Sequence, residues 1–86
     1  MITDRIIELT FAEDDRHTDA EVTLTLRGVI YIGRGRARRN PADPSMPLVG
    51  EELAAARALN DLSHRLVDAV TEAISEREGH PAHVRA

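Results

Sequence analysis

Residues 19–38, DAEVTLTLRGVIYIGRGRAR, decide the fold. Ala20, Val22, Leu24 and Leu26 alternate with Glu21, Thr23, Thr25 and Arg27, the period-two pattern of a strand with one buried face. Arg27-Gly28 interrupts the alternation and VIYIGRGRAR resumes it. A two-residue link ending in glycine reads as a hairpin turn, because glycine takes a positive φ at no steric cost. With Leu26 set against Val29, Leu24 falls opposite Tyr31, Val22 opposite Gly33 and Ala20 opposite Gly35. The other face then sets Thr25 against Ile30, Thr23 against Ile32, Glu21 against Arg34 and Asp19 against Arg36. A slip of one residue would turn Leu24 and Leu26 to solvent, so the hydrophobic pattern holds this register.

Ahead of the hairpin, residues 5–11, RIIELTF, place Ile7, Leu9 and Phe11 on one face of a preceding strand, and the polar AEDDRHT between the two reads as a loop. After the hairpin, NPADPSMPLVG carries Pro41, Pro44 and Pro47 and propagates neither helix nor ladder. From Glu51 the period changes to 3.6: Ala55, Leu59, Leu62, Leu66, Val70 and Ala73 form an apolar stripe, with Arg57, Asp61, Arg65, Asp68 and Glu72 opposite. Gly50 serves as N-cap, Glu51 and Glu52 suit the positive end of the helix dipole, and Gly79 before Pro81 ends the helix. The expectation is a single α+β domain over residues 1–86, with a β-meander (1–39), a Pro-rich connection (40–50), a helix (51–78) and a tail (79–86). Three antiparallel strands form one layer and the helix the other, in the order β-β-β-α. Gly33, Gly35 and Ala37 lack bulk on the buried face and would let the helix backbone come close to the third strand.

The chain has 86 residues and no cysteine, which removes disulfide staples and thiolate metal sites. A domain of this size buries about 60–65% of the surface that its unfolded chain exposes, so a partner subunit would add stability. The N-terminus MITDRIIELTF has no basic region ahead of a long apolar run, so it reads as neither signal peptide nor membrane span, and the chain as cytoplasmic.

Every basic residue is an arginine, and they are spread unevenly. Val22–Ala42 holds Arg27, Arg34, Arg36, Arg38 and Arg39 and no acid, inside a chain of formal net charge −4. Such a run is a candidate nucleic-acid surface, although dedicated binders are usually basic overall. The register gives Arg34 and Arg36 cross-strand carboxylates, so Arg38 and Arg39 are the more available members of this candidate set. On the same outer face Ile30 and Ile32, with Ile6, form a candidate dimer interface, because they add apolar surface to the side turned away from the helix.

Catalysis finds little support. His17, His64, His80 and His83 have no cysteine partners, Ser45, Ser63 and Ser75 lack a nucleophile-elbow context, and Asp61 stands at i,i+4 spacing from Arg57 and Arg65 as in an ion-pair ladder. No catalytic residue, metal site, cofactor or small-molecule substrate is expected. The glycines of GRGRA lie within a strand, where a phosphate-cradling loop would need them at a strand-to-helix turn.

The segments GRGRARRNPAD, GEELAAARALNDLSHRLVD and HPAHV resemble a family of small actinobacterial proteins of unknown function with a double-stranded-RNA-binding-domain fold, some of them induced by hypoxia or dormancy. The likeness covers most of residues 20–84. It is most specific at Asn40-Pro41-Ala42-Asp43, at Glu52-Leu53 with Ala56-Arg57-Ala58-Leu59 and Asp61-Leu62, and at Pro81-Ala82. The resemblance implies a β-β-β-α core, homodimerisation and similarity to ribosome hibernation-promoting factors. Two departures stand out: Arg34, Arg36 and Arg39 occupy positions where apolar or small polar residues are expected, and the first strand lacks a Trp. Residues and resemblance together lead to a non-enzymatic, stress-associated homodimer that contacts the ribosome or RNA. The alternative is a homodimeric protein-interaction module with no nucleic-acid binding.

Overall fold

A computed structural model of the chain describes residues 1–38 and 47–79. Three strands, β1 (Ile7–Glu13), β2 (His17–Leu26) and β3 (Val29–Arg38), precede one helix, α1 (Pro47–Glu78). The strands form an antiparallel sheet in the order β1-β2-β3, and α1 lies across one face. The β2–β3 register is the expected one, from Leu26 against Val29 through Glu21 against Arg34 to His17 against Arg38. Arg27 and Gly28 both take positive φ, 50° and 80°, so the turn has the left-handed backbone that matches strand twist in a two-residue hairpin.

Both β1 and β2 are displaced from their expected bounds for one local reason. Asp14 Oδ1 accepts the amides of Arg16 and His17, each at 2.7 Å, and Asp14 N–H donates to the His17 carbonyl. This aspartate-nucleated turn compresses the connection to residues 14–16, so Ala12, Glu13, His17 and Thr18 join the strands in place of the expected loop.

The helix begins at Pro47, four positions ahead of the expected start. Proline is accommodated in a first helical turn, where its missing N–H has no intrahelical partner to lose. Gly50 is therefore inside the helix, close to Thr18, and is not its N-cap. The helix ends as expected at Glu78: Gly79 takes φ 71° and its amide donates to the Ser75 carbonyl. Residues 40–46 of the Pro-rich connection and 80–86 of the tail lie outside the described residues.

The buried stripe of α1 differs from the expected one. Ala54, Ala58 and Leu62 are buried with Ala20, Val22, Leu24 and Ala37, whereas Leu59 and Val70 stay 45% and 47% exposed. The glycines of β3 select this stripe. A Cβ on Gly33 would strike the Ala58 carbonyl oxygen and come within 2.8 Å of Leu62 Cβ, and one on Gly35 would strike the Ala58 amide and the Ala54 carbonyl. The helix backbone rests on the strand backbone, so the side chains between them must be small. Replacing Gly35 by Ala places a methyl where backbone atoms stand and is expected to cost about 1–3 kcal/mol or more. The urea midpoint should fall accordingly, with the slope of the transition unchanged.

Candidate functional site

Arg34 Nε lies 3.3 Å from Glu21 Oε2, and Arg36 makes two hydrogen bonds to Asp19, at 2.5 and 3.2 Å. These cross-strand pairs wall a shallow depression on the outer face, between Thr10 and Ala12 on one side and Arg34 and Arg36 on the other. The hydrogen bond and charge of Arg36 hold the Asp19 carboxyl below its ordinary value. The positive charge of Arg34 and Arg36 is thus answered within the sheet. Arg38, at the end of β3 opposite His17, is exposed and pairs with no carboxylate among the described residues. Arg39 lies outside them.

The stripe of α1 expected to be solvated instead works on the edge of β3. The backbone amide of Arg34 donates to Asp61 Oδ2 at 2.9 Å, and Arg57 Nη1 donates to the Arg36 carbonyl at 2.6 Å. Arg65 Nε lies 3.1 Å from the same Asp61 oxygen. The Arg34 amide first, then Arg65, holds the Asp61 carboxyl below its ordinary value. Helical spacing identifies the Asp61–Arg65 pair, but no periodicity in the sequence points to the edge contacts. Edge strands carry unpaired N–H and C=O groups that invite other chains, and here helix side chains occupy two of those on β3.

Among the described residues, no such cover lies on β1. Ile7, Leu9 and Phe11 pair with Leu24, Val22 and Ala20 and so share the helix side of the sheet. They remain 47%, 43% and 39% exposed, because α1 packs on β3 and β2. With Asp61 and Arg57 turned to the β3 edge, the flank of α1 carrying Leu59, Leu66 and Val70 faces the β1 side. Leu59 adjoins Ala58, which touches Gly33 and Gly35, and their cross-strand rows end in Leu9 and Phe11 on β1. An apolar channel therefore runs between helix and first strand, and nothing among the described residues closes it.

The hydrogen-bond parity of the sheet shows which β1 groups are open. Since the Arg34 amide points away from β2, even-numbered residues of β3 turn their backbone groups outward and odd-numbered ones bond β2. The alternation carries across the sheet: Glu8, Thr10 and Ala12 bond β2, and Ile7, Leu9 and Phe11 turn N–H and C=O to the open edge. The sequence pattern gives the inward direction of these three side chains. The shortage of cover emerges only when the width of the helix contact is known.

Of the expected dimer residues, Ile30 and Ile32 share the outer face of β3, and Ile6 precedes the first residue of β1. Ile30 is 62% exposed on the outer face and Ile32 half-buried, with Thr23 and Thr25 opposite them. Ile6 is 80% exposed. A cleft between Ile30–Ile32 and the helix is lined by Arg65, Asp68 and Glu72. Among the described residues no group of three His, Cys, Asp or Glu side chains could hold a metal ion, and no helix is long and apolar enough to cross a membrane.

Residues 3–83 match the Rv2632c-like family model. The chain belongs to the Rv2632c-like family. It is 37% identical over 76 residues to the uncharacterized protein MT1780 of Mycobacterium tuberculosis, covering 88% of this chain and 81% of that protein. The uncharacterized protein Rv2632c of Mycobacterium tuberculosis is 42% identical over 60 residues, 70% of this chain and 64% of that one. The crystal structure of Rv2632c superimposes with a TM-score of 0.79 at 35% identity, covering 95% of this chain and 96% of that one. The family member therefore shares the three-stranded sheet and long helix described above.

The carboxylates give a signed pH dependence. Asp14, Asp19 and Asp61 all have lowered values in the fold, so the stability they contribute is fully present above the unfolded aspartate value. It is lost as pH falls through the folded values, in the range below about pH 4. Urea midpoints measured from pH 6 downward should fall more steeply for wild type than for Asp61→Asn, which keeps an acceptor for the Arg34 amide but no titrating group.

Proposed function

We propose that this member of the Rv2632c-like family is a non-enzymatic, cytosolic protein-interaction module that works as a homodimer, with the β1 side of the molecule as its binding surface. One observation carries the reading: among the described residues the edge of β3 is blunted by Asp61 and Arg57, whereas β1 keeps open backbone groups and three half-exposed apolar side chains. An unpaired edge beside an apolar channel is the arrangement that strand addition uses, with main-chain hydrogen bonds for affinity and side-chain contacts for specificity. A small domain with a thin core also gains stability from such a partner. Arg34, Arg36, Arg57, Asp61 and Arg65 are engaged with carboxylates or with the backbone, which favours a binding role over catalysis.

The RNA or ribosome contact implied by the resemblance, and with it a stress or dormancy role, is the second reading. Arg38 favours it, being exposed and without a carboxylate partner among the described residues. The cancellation of Arg34 and Arg36 weighs against it, since affinity for phosphates rises with the number of free cations that displace counterions. Sedimentation at tens of micromolar should give twice the 9.5 kDa chain mass, and a monomer would refute the dimer. Co-sedimentation with ribosomes at low salt should fail. A salt-sensitive association lost in Arg38→Glu with Arg39→Glu would establish the RNA reading instead.

A further inference from the structure

The geometry points to a definite occupant of the β1 edge: the β1 strand of a second copy, paired antiparallel about a two-fold axis at Leu9. This inference rests on the reading of the β1 side as the interaction surface and goes further by fixing the partner and its register.

Self-pairing of one strand allows only registers that keep each side chain on its own face, and these are distinguished by the residue on the axis. With Leu9 on the axis, Leu9 faces its own copy and Ile7 faces Phe11. Arg5 then faces Glu13, which joins a cation to a carboxylate. On the outer face Glu8 meets Thr10 and Ile6 meets Ala12. Each apolar residue on the helix side meets an apolar one, and the charged residue at either end of the row meets its opposite. Asp14 takes no part, since its carboxylate is held by the Arg16 and His17 amides in the turn.

The neighbouring registers fail by the same test. An axis at Glu8 sets that carboxylate against itself. One at Thr10 sets Ile7 against Glu13, and one at Phe11 sets Leu9 against Glu13. Like charges directly opposite are unfavourable, and so is a carboxylate placed against an aliphatic side chain.

Backbone parity is compatible with this pairing, as with every register that keeps each side chain on its own face. The residues brought together along the apolar row, Ile7, Leu9 and Phe11, are those whose N–H and C=O already face outward, so Leu9 and its copy would exchange both hydrogen bonds and Ile7 would exchange both with Phe11. Two three-stranded sheets become one of six strands with both helices on the same face. The two open channels then meet at the centre, where Leu59 of each helix overlooks the joined row. Arg38 and the outer faces of Ile30 and Ile32 stay outside the interface.

The chain has no cysteine, so single-cysteine variants report the register directly. Across a hydrogen-bonded antiparallel pair the Cα atoms are about 5.5 Å apart, within the span of a disulfide. Leu9→Cys should form an intermolecular disulfide under mild oxidation faster than Thr10→Cys and far faster than Ile30→Cys. Leu9→Lys keeps the intrachain ladder and sets two ammonium groups face to face, and should weaken dimerisation about a hundredfold while circular dichroism shows a folded chain. Fastest cross-linking at Thr10→Cys or Ile30→Cys, or a dimer that cross-links at none of the three, would overturn the register while leaving the homodimer in place. A monomer at all concentrations would overturn the homodimer itself.

Discussion

Backbone contact between α1 and β3 is the constraint from which the remaining structure follows. Gly33 and Gly35 offer no side chain, and Ala54 and Ala58 offer only methyls, so the helix settles directly on the strand. That close approach fixes the rotation of the helix about its axis. Asp61 and Arg57 are carried to the outer edge of β3, and Leu59, Leu66 and Val70 to the opposite flank. It also fixes the lateral position of the helix, over β3 and β2, so that among the described residues nothing roofs the apolar row of β1. The open surface proposed as the interaction site is thus a geometric consequence of two glycines on another strand.

The same geometry disposes of much of the arginine charge. Antiparallel pairing of an acidic stretch of β2 with the basic stretch of β3 sets Glu21 by Arg34 and Asp19 by Arg36, and one helix aspartate holds the edge amide between them. All these groups are at least partly exposed, so their main effect is on register and edge protection, and salt screens them. Among the described residues of the run, the cation that remains unanswered is Arg38, at the end of β3. Of the four arginines in this run, Arg34 and Arg36 are therefore answered inside the sheet.

Much of this was legible in the sequence, and for identifiable reasons. The hairpin register could be read because alternation in residues 20–26 and a Gly-ended turn constrain each other. The close helix approach could be read from Gly33, Gly35 and Ala37. The start of the helix could not, because a proline at the first turn resembles one that stops a helix. Its buried stripe was displaced by one residue at its N-terminal end, from Ala55 and Leu59 to Ala54 and Ala58, because hydrophobicity favours the leucine while the space above glycine admits only alanine. The tight turn after β1 depends on Asp14, whose side chain replaces several loop residues. The exposure of Ile7, Leu9 and Phe11 was hidden for a different reason: periodicity tells which way a side chain points, whereas cover depends on how far the opposing element reaches.

Amide hydrogen exchange resolved by residue probes the β1 edge most directly, because alternate amides of one strand have different fates there. Glu8, Thr10 and Ala12 bond β2 within the chain and should exchange slowly at every protein concentration. Ile7, Leu9 and Phe11 should exchange fast in dilute protein and become protected as concentration rises through the dimerisation range. If those three stay fast in protein whose mass is that of a dimer, β1 is not where the copies meet.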